Sequence, residues 1–253
     1  MKTANRIWEI AYPVLMYYAA NPIGIFLAQL IFGSSNETYM LCKIIGSLVA
    51  IPIVYQDFKT ESVFYGGFSQ KAPFAKDTIF HIFSIIGIMA CISIALNNVI
   101  CMSPLVKFSS EFEDASNALY GSQNLFFEIL GSALITPFLE EMLHRGVVYR
   151  RLRRRIGLWP AILLSTLVFA LLHFNIVQFI YTFLLGIVLA LFIEKTQNLY
   201  APVLAHMTAN LIAVIRTETG FLQNTVDGSI LAWVISIAVG LIGLGALLYY
   251  NRQ

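Results

Sequence analysis

Apolar runs about 20 residues long, separated by short polar punctuation, organise this chain from end to end. A helix needs about 20 mostly apolar residues to cross the hydrocarbon of a bilayer. Eight such runs stand near residues 8–32, 40–56, 78–102, 124–149, 158–175, 177–194, 199–215 and 229–250. The pattern predicts an all-α fold, a polytopic membrane helix bundle of about eight transmembrane helices, built as a single integral membrane domain over 1–253. Pro13, Pro22 and Pro137 fall inside these runs. Neighbouring helices can satisfy the backbone groups that a proline frees, so kinks rather than breaks are expected. The first run is too long for a signal-peptide core and lacks a small-residue cleavage pattern, so it reads as a retained span, with the mature chain beginning near Met1.

Composition agrees: 58% hydrophobic and 12% charged residues exclude an ordinary soluble globule. The net charge of +2 says less than its distribution. Lys2 and Arg6 precede the first span, Lys59, Lys71 and Lys76 separate the second from the third, and Arg150, Arg151, Arg153, Arg154 and Arg155 follow the fourth. The loop around Asn36 and Glu37 has no basic residue, and the 103–123 loop sets Glu111, Glu113 and Asp114 against Lys107. Basic residues favour the cytoplasmic side, so this alternation places both termini there, and the compact chain suits a bacterial plasma membrane. The arginine run reads as a topology determinant, and no nucleic-acid partner is expected. Segment 60–77, with Phe64, Tyr65, Gly66, Gly67, Phe68 and Phe74, suits an aromatic stretch at the cytoplasmic interface. Cys42, Cys91 and Cys101 form no CxxC pair and read as small buried thiols.

Charged residues inside a span are costly, about 2.5–3.5 kcal/mol each at mid-bilayer, and ask for pairing or function. The fourth span holds Glu140, Glu141, His144 and Arg145, which fall within a wedge of roughly 140° on a helix and must face protein or water. Glu141 and Arg145, four apart, are placed to pair, which leaves Glu140 without a partner on its own helix. The fifth span puts Phe169 and His173 on one face, and the seventh puts His206 and Asn210 one turn apart. Singly these are packing or helix-end residues. Together, two carboxylates, two imidazoles and an amide form a set able to activate water. Glu140, with His173, would act as general base, His206 and Asn210 would donate to a developing oxyanion, and Arg145 would hold Glu141. Phe169 and His144 are the candidates for contact with substrate. Counting at 1.5 Å per residue from the predicted cytoplasmic ends puts Glu140 about 14 Å deep, His206 about 10 Å and His173 about 20 Å. A tilt or late start of the fifth span, or a kink at Pro137, has to bring them level.

The order Glu140-Glu141-x-x-x-Arg145, Phe169-x-x-x-His173, His206-x-x-x-Asn210 on successive spans resembles the CAAX prenyl protease and bacteriocin-processing family, also called Abi or CPBP. The resemblance covers residues 124–215 and is carried by the three motifs jointly. It implies an eight-helix intramembrane glutamic endopeptidase that needs no cofactor, with Glu140 as catalytic carboxylate and Glu141, Arg145, His173, His206 and Asn210 completing the site. Its substrate would be a membrane-associated, hydrophobic or lipid-modified peptide amid membrane lipids. Two other readings compete. Glu140, His173 and His206 are also the two-histidine, one-carboxylate set of a catalytic zinc site. A non-proteolytic peptide-binding or immunity protein could use the same cluster to hold a peptide or to hold its helices together.

Overall fold

The computed structural model describes residues 2–65, 76–108 and 124–252, and among these the chain is helical with no strand. Eight principal helices appear. We label them α1 (Lys2–Phe32), α2 (Asn36–Tyr65), α3 (Lys76–Met102), α4 (125–153), α5 (Leu158–Leu171), α6 (Ile176–Thr196), α7 (Tyr200–Thr219) and α8 (Ile230–Arg252). Short 3-10 turns at Pro104–Phe108 and Gln223–Val226 accompany them. Most of the aromatic segment 60–77 and of the acidic loop 103–123 lies outside the described residues.

Among the described residues, five helical stretches are long and apolar enough to cross a membrane: Ile7–Phe32, Thr38–Ser62, Ile79–Met102, Ile176–Thr196 and Ile230–Arg252. Their outward side chains are large and apolar, with Ile31 76%, Ile230 84% and Leu241 64% exposed. Such a surface would drive association in water, whereas in lipid it faces its own kind. The protein is thus a multi-pass, all-α membrane bundle. The fifth predicted span requires correction. It stops at Leu171, and 14 residues rise only about 21 Å, short of the roughly 30 Å hydrocarbon. The chain turns at once because Phe174 takes a left-handed conformation and the Asn175 side chain caps α6, accepting from the Gln178 N–H at 2.7 Å.

α1 continues through Pro13 and Pro22, and α2 through Pro52. These two helices meet at a glycine contact. A Cβ on Gly46 would stand 2.6 Å from the Asn21 carbonyl oxygen, so only glycine admits this approach. α8 lies along α3, α7 packs on α3 and α4, and α5 on α6. α4 is the element that α2, α5 and α7 share. It is not a uniform α-helix. Two π-helical stretches, Ile129–Ile135 and His144–Tyr149, flank the α-helical Thr136–Leu143, and the Thr136 N–H reaches back to the Gly131 carbonyl. Pro137 sits in the first turn after the upper π stretch, where its missing N–H is least costly.

α4 continues past Tyr149 to Arg153, so Glu140 lies about 20 Å from its end, while His173 lies about 22 Å from the start of α5. The mismatch in depth between these two residues disappears on those bounds.

The arginine run finds its partners on other helices. Arg151 bonds Glu61 at 2.8 Å and also reaches Asp57 and the Glu9 carbonyl, Arg154 pairs with Glu61, Arg155 with Glu9, and Arg153 with Glu194 at 2.9 Å. Tyr149 donates to the same Glu194 at 2.6 Å. The end of α4 is thereby tied to α1, α2 and α6. Glu61, 2% exposed, carries two of these arginines. Glu61→Gln is expected to cost about 2–3 kcal/mol, below the range for a fully buried pair because Arg154 is a third exposed and Asp57 still holds Arg151. A lower midpoint of thermal unfolding in detergent would show it, and an unchanged midpoint would count against the clamp.

Candidate active site

The short α-helical stretch of α4 presents Glu140 and Glu141 on adjacent faces, and the two carboxylates have different surroundings. Glu141 is fully buried, and its Oε1 accepts from Arg145 Nη1 at 2.8 Å and pairs with His206 Nδ1 at 2.9 Å. An ionised carboxylate only accepts, so Nδ1 of His206 carries the proton and its Nε2 is left as an acceptor in the neutral ring. Nε2 faces Glu140 Oε2 at 3.9 Å, too long for a hydrogen bond and short enough for a water to touch both. Among the described residues the Glu140 carboxylate, 14% exposed, accepts no hydrogen bond.

Arg145, 1% exposed, is held on three sides: by Glu141, by the Gly186 carbonyl at 3.1 Å, and by the Phe169 ring, 4.7 Å below its guanidinium. Gly186 makes room for it. A Cβ there would lie 2.6 Å from Thr166 Cγ2 and 3.0 Å from Arg145 Nη2. α6 therefore takes part through a backbone oxygen, which no motif of polar side chains announces.

Phe169 is the hub. Its ring lies 4.9 Å from His144, 5.0 Å from His173 and 5.8 Å from His206, centroid to centroid. Phe169 is 1% exposed and His144 is fully buried, so both of these candidates for substrate contact are enclosed by their neighbours. Neither ring nitrogen of His144 has a hydrogen-bond partner among the described residues. His173 stands in the turn after α5, its Nδ1 3.0 Å from the Phe169 carbonyl. A carbonyl only accepts, which fixes the proton on Nδ1 and leaves Nε2 as a base. Asn210 donates one amide hydrogen to the Ser132 carbonyl at 2.9 Å and has a second to offer.

The structure thus brings Glu140, Glu141, Arg145, His173 and His206 together on α4, the α5–α6 turn and α7, with Asn210 one turn along α7 from His206 and bonded to Ser132 of α4. It adds neighbours that hydropathy hid. Tyr17 and Tyr18 of α1 and Lys43 of α2 lie within electrostatic reach of Glu140. For a zinc ion, Glu140, His173 and His206 are the donor set, with a free Nε2 on each ring. However, among the described residues no three such side chains converge as ligands would.

Residues 122–212 match the family described as Type II CAAX prenyl endopeptidase Rce1-like. Two proteins of Bacillus subtilis (strain 168) are similar over the same order of length. "Putative membrane peptidase YdiL" is 25% identical over 87 residues, 34% of this chain and 36% of that protein. "Uncharacterized protein YpbD" is 38% identical over 88 residues, 33% of this chain and 42% of that protein. The chain therefore spans less than half the length of either relative. No solved structure matches it. Over residues 122–212, the segment that carries all three motifs, the chain matches the Rce1-like CAAX prenyl endopeptidase family that those motifs resemble.

Proposed function

We propose that the protein is an intramembrane endopeptidase in which Glu140 activates water for attack on a peptide bond of a membrane-associated or hydrophobic peptide. The observation that carries this reading is the asymmetry of the paired carboxylates. Glu141 is buried and occupied by Arg145 and His206, whereas Glu140 is partly exposed, unbonded, and 3.9 Å from a histidine nitrogen. A water seated between Glu140 Oε2 and His206 Nε2 would be polarised from two sides. Glu140, assisted by His173 Nε2, takes a proton as the water oxygen bonds to the carbonyl carbon. The negative charge then moves to the carbonyl oxygen. Asn210 meets it with its second amide hydrogen, while His206 Nε2, an acceptor in the neutral ring whose Nδ1 proton Glu141 holds, orients the attacking water through that water's second O–H. The C–N bond breaks as Glu140 returns its proton to the amine.

This chemistry closes without a metal, and the family match and the named relative support a peptidase. Charge along the chain supports cytoplasmic termini, and a site about 20 Å from the arginine end of α4 supports substrates held in the bilayer.

The experiment is cleavage of a panel of lipid-anchored and hydrophobic peptides by the detergent-purified chain, with and without a strong chelator. Cleavage that persists in chelator, with no metal in the purified protein, is the expected result. Activity lost in chelator and restored by zinc would replace the glutamate mechanism with the metal one. A folded protein that cleaves no peptide would return the site to the peptide-binding or immunity reading.

A further inference from the structure

Lys43 belongs to none of the motifs. It lies in α2, inside the apolar stretch Thr38–Ser62, between the buried residues Cys42 and Ile44. Met40 and Ile44 pack against Gly131 of α4, and Ser47 bonds Asn21 of α1. At about 100° per residue Lys43 projects about 40° from Ser47 and about 60° from Met40, on the side of α2 turned to the bundle. It is half-buried there. Its ammonium is within electrostatic reach of Glu140 and His173, and among the described residues it makes neither an ion pair nor a hydrogen bond.

A lysine five residues from Thr38 could in principle extend along its stem to that end of the span. An ammonium that did so would leave Glu140 behind. Lys43 instead remains within electrostatic reach of Glu140 and, among the described residues, forms no ion pair with it, so its donors are available. An unpaired cation inside a bundle is costly to keep and marks a ligand path by default. Arg145 and the α4-end arginines Arg151 and Arg153–Arg155, by contrast, are all engaged by carboxylates.

We infer that Lys43 is a specificity-determining residue of the site, whose ammonium binds a carboxylate of the peptide lying against Glu140. The carboxylate is either the free C-terminus of the peptide or an acidic side chain close to the cleaved bond. Both offer the same chemistry, a compact anion for a point cation. The inference rests on the peptidase reading above.

The test uses the purified full chain and a fluorogenic hydrophobic peptide from the cleavage panel, in three forms: C-terminal acid with an internal Asp, C-terminal amide with that Asp, and C-terminal acid with Asn in its place. Wild type is expected to prefer one carboxylate form over its neutral counterpart by roughly 10- to 100-fold in kcat/KM, mostly through KM. Which form matters identifies the source of the carboxylate. Lys43→Met should erase the preference by lowering activity on the acidic form alone, and Lys43→Arg should keep most of it. A preference that survives Lys43→Met overturns the inference, as does a kcat that falls alike on all three forms. A wild type indifferent to all three overturns it whether or not any variant folds. If the wild type cleaves these peptides and Glu140→Gln does not, such an indifference removes the role of Lys43 and leaves the peptidase reading standing. If neither cleaves them, both fall.

Discussion

Glu140→Gln is expected to lower kcat for peptide cleavage by about 10²–10⁴, the usual contribution of a positioned general base, with little change in KM or in thermal stability. The substitution keeps the shape of the side chain and removes its basicity. It touches nothing structural, because the carboxylate accepts no hydrogen bond among the described residues and stands 14% exposed. Glu141→Gln should behave differently. That side chain is fully buried between Arg145 and His206, so its loss should lower stability together with activity. Purified variants compared for kcat, KM and unfolding midpoint separate the two. Equal stability loss for both, or a Glu140→Gln enzyme within tenfold of wild type, would remove Glu140 from the role of base and leave His173, whose Nε2 is free, as the group to test next.

Much of this was legible in the sequence, for reasons that differ by residue. Helix number followed from the length of the apolar runs, since lipid demands about 20 residues per crossing. The Glu141–Arg145 pair followed from i,i+4 spacing, and the meeting of His173, His206 and α4 from three polar motifs with nowhere else to go in lipid. What stayed hidden depended on backbone or on distance along the chain. The π stretches around Thr136–Leu143 leave no trace in hydropathy. Neither does the Gly186 carbonyl, because a backbone oxygen has no letter of its own. Phe169 and His144 sat rightly beside the cluster, but sequence spacing cannot tell a ring that lines a cavity from one that lies beneath it. Reading the arginine run only by the rule for cytoplasmic loops conceals its partners Glu9, Asp57, Glu61 and Glu194, which are spread over three other helices. Lys43 does not stand out in the sequence because one lysine near the start of a long apolar run looks like its boundary.

Arg145→Leu should be the most damaging single substitution in the chain. The side chain is 1% exposed, and removing it leaves the Glu141 carboxylate buried with only His206 beside it, the Gly186 carbonyl without a donor, and the Phe169 ring without its cation. Breaking a buried ion pair from one side costs about 3–5 kcal/mol. That is a large share of the roughly 5–15 kcal/mol that typically separates folded from unfolded states, so much of the protein should be lost on extraction into detergent. Arg145→Lys keeps the charge but not the planar fork that reaches Glu141 and Gly186 together, and it should recover only part of the stability. The decisive comparison is the double variant Glu141→Gln with Arg145→Leu. If the damage comes from a stranded carboxylate, the pair of changes should be closer to wild type in unfolding midpoint than Arg145→Leu alone, because no buried charge is then left unpaired. Additive losses would instead mean that Arg145 holds α4 against α5 and α6 mainly by packing on Phe169 and bonding Gly186. Activity should stay low in either case, since without Glu141 as its anionic partner His206 cannot keep its Nδ1 proton facing inward and its Nε2 toward Glu140.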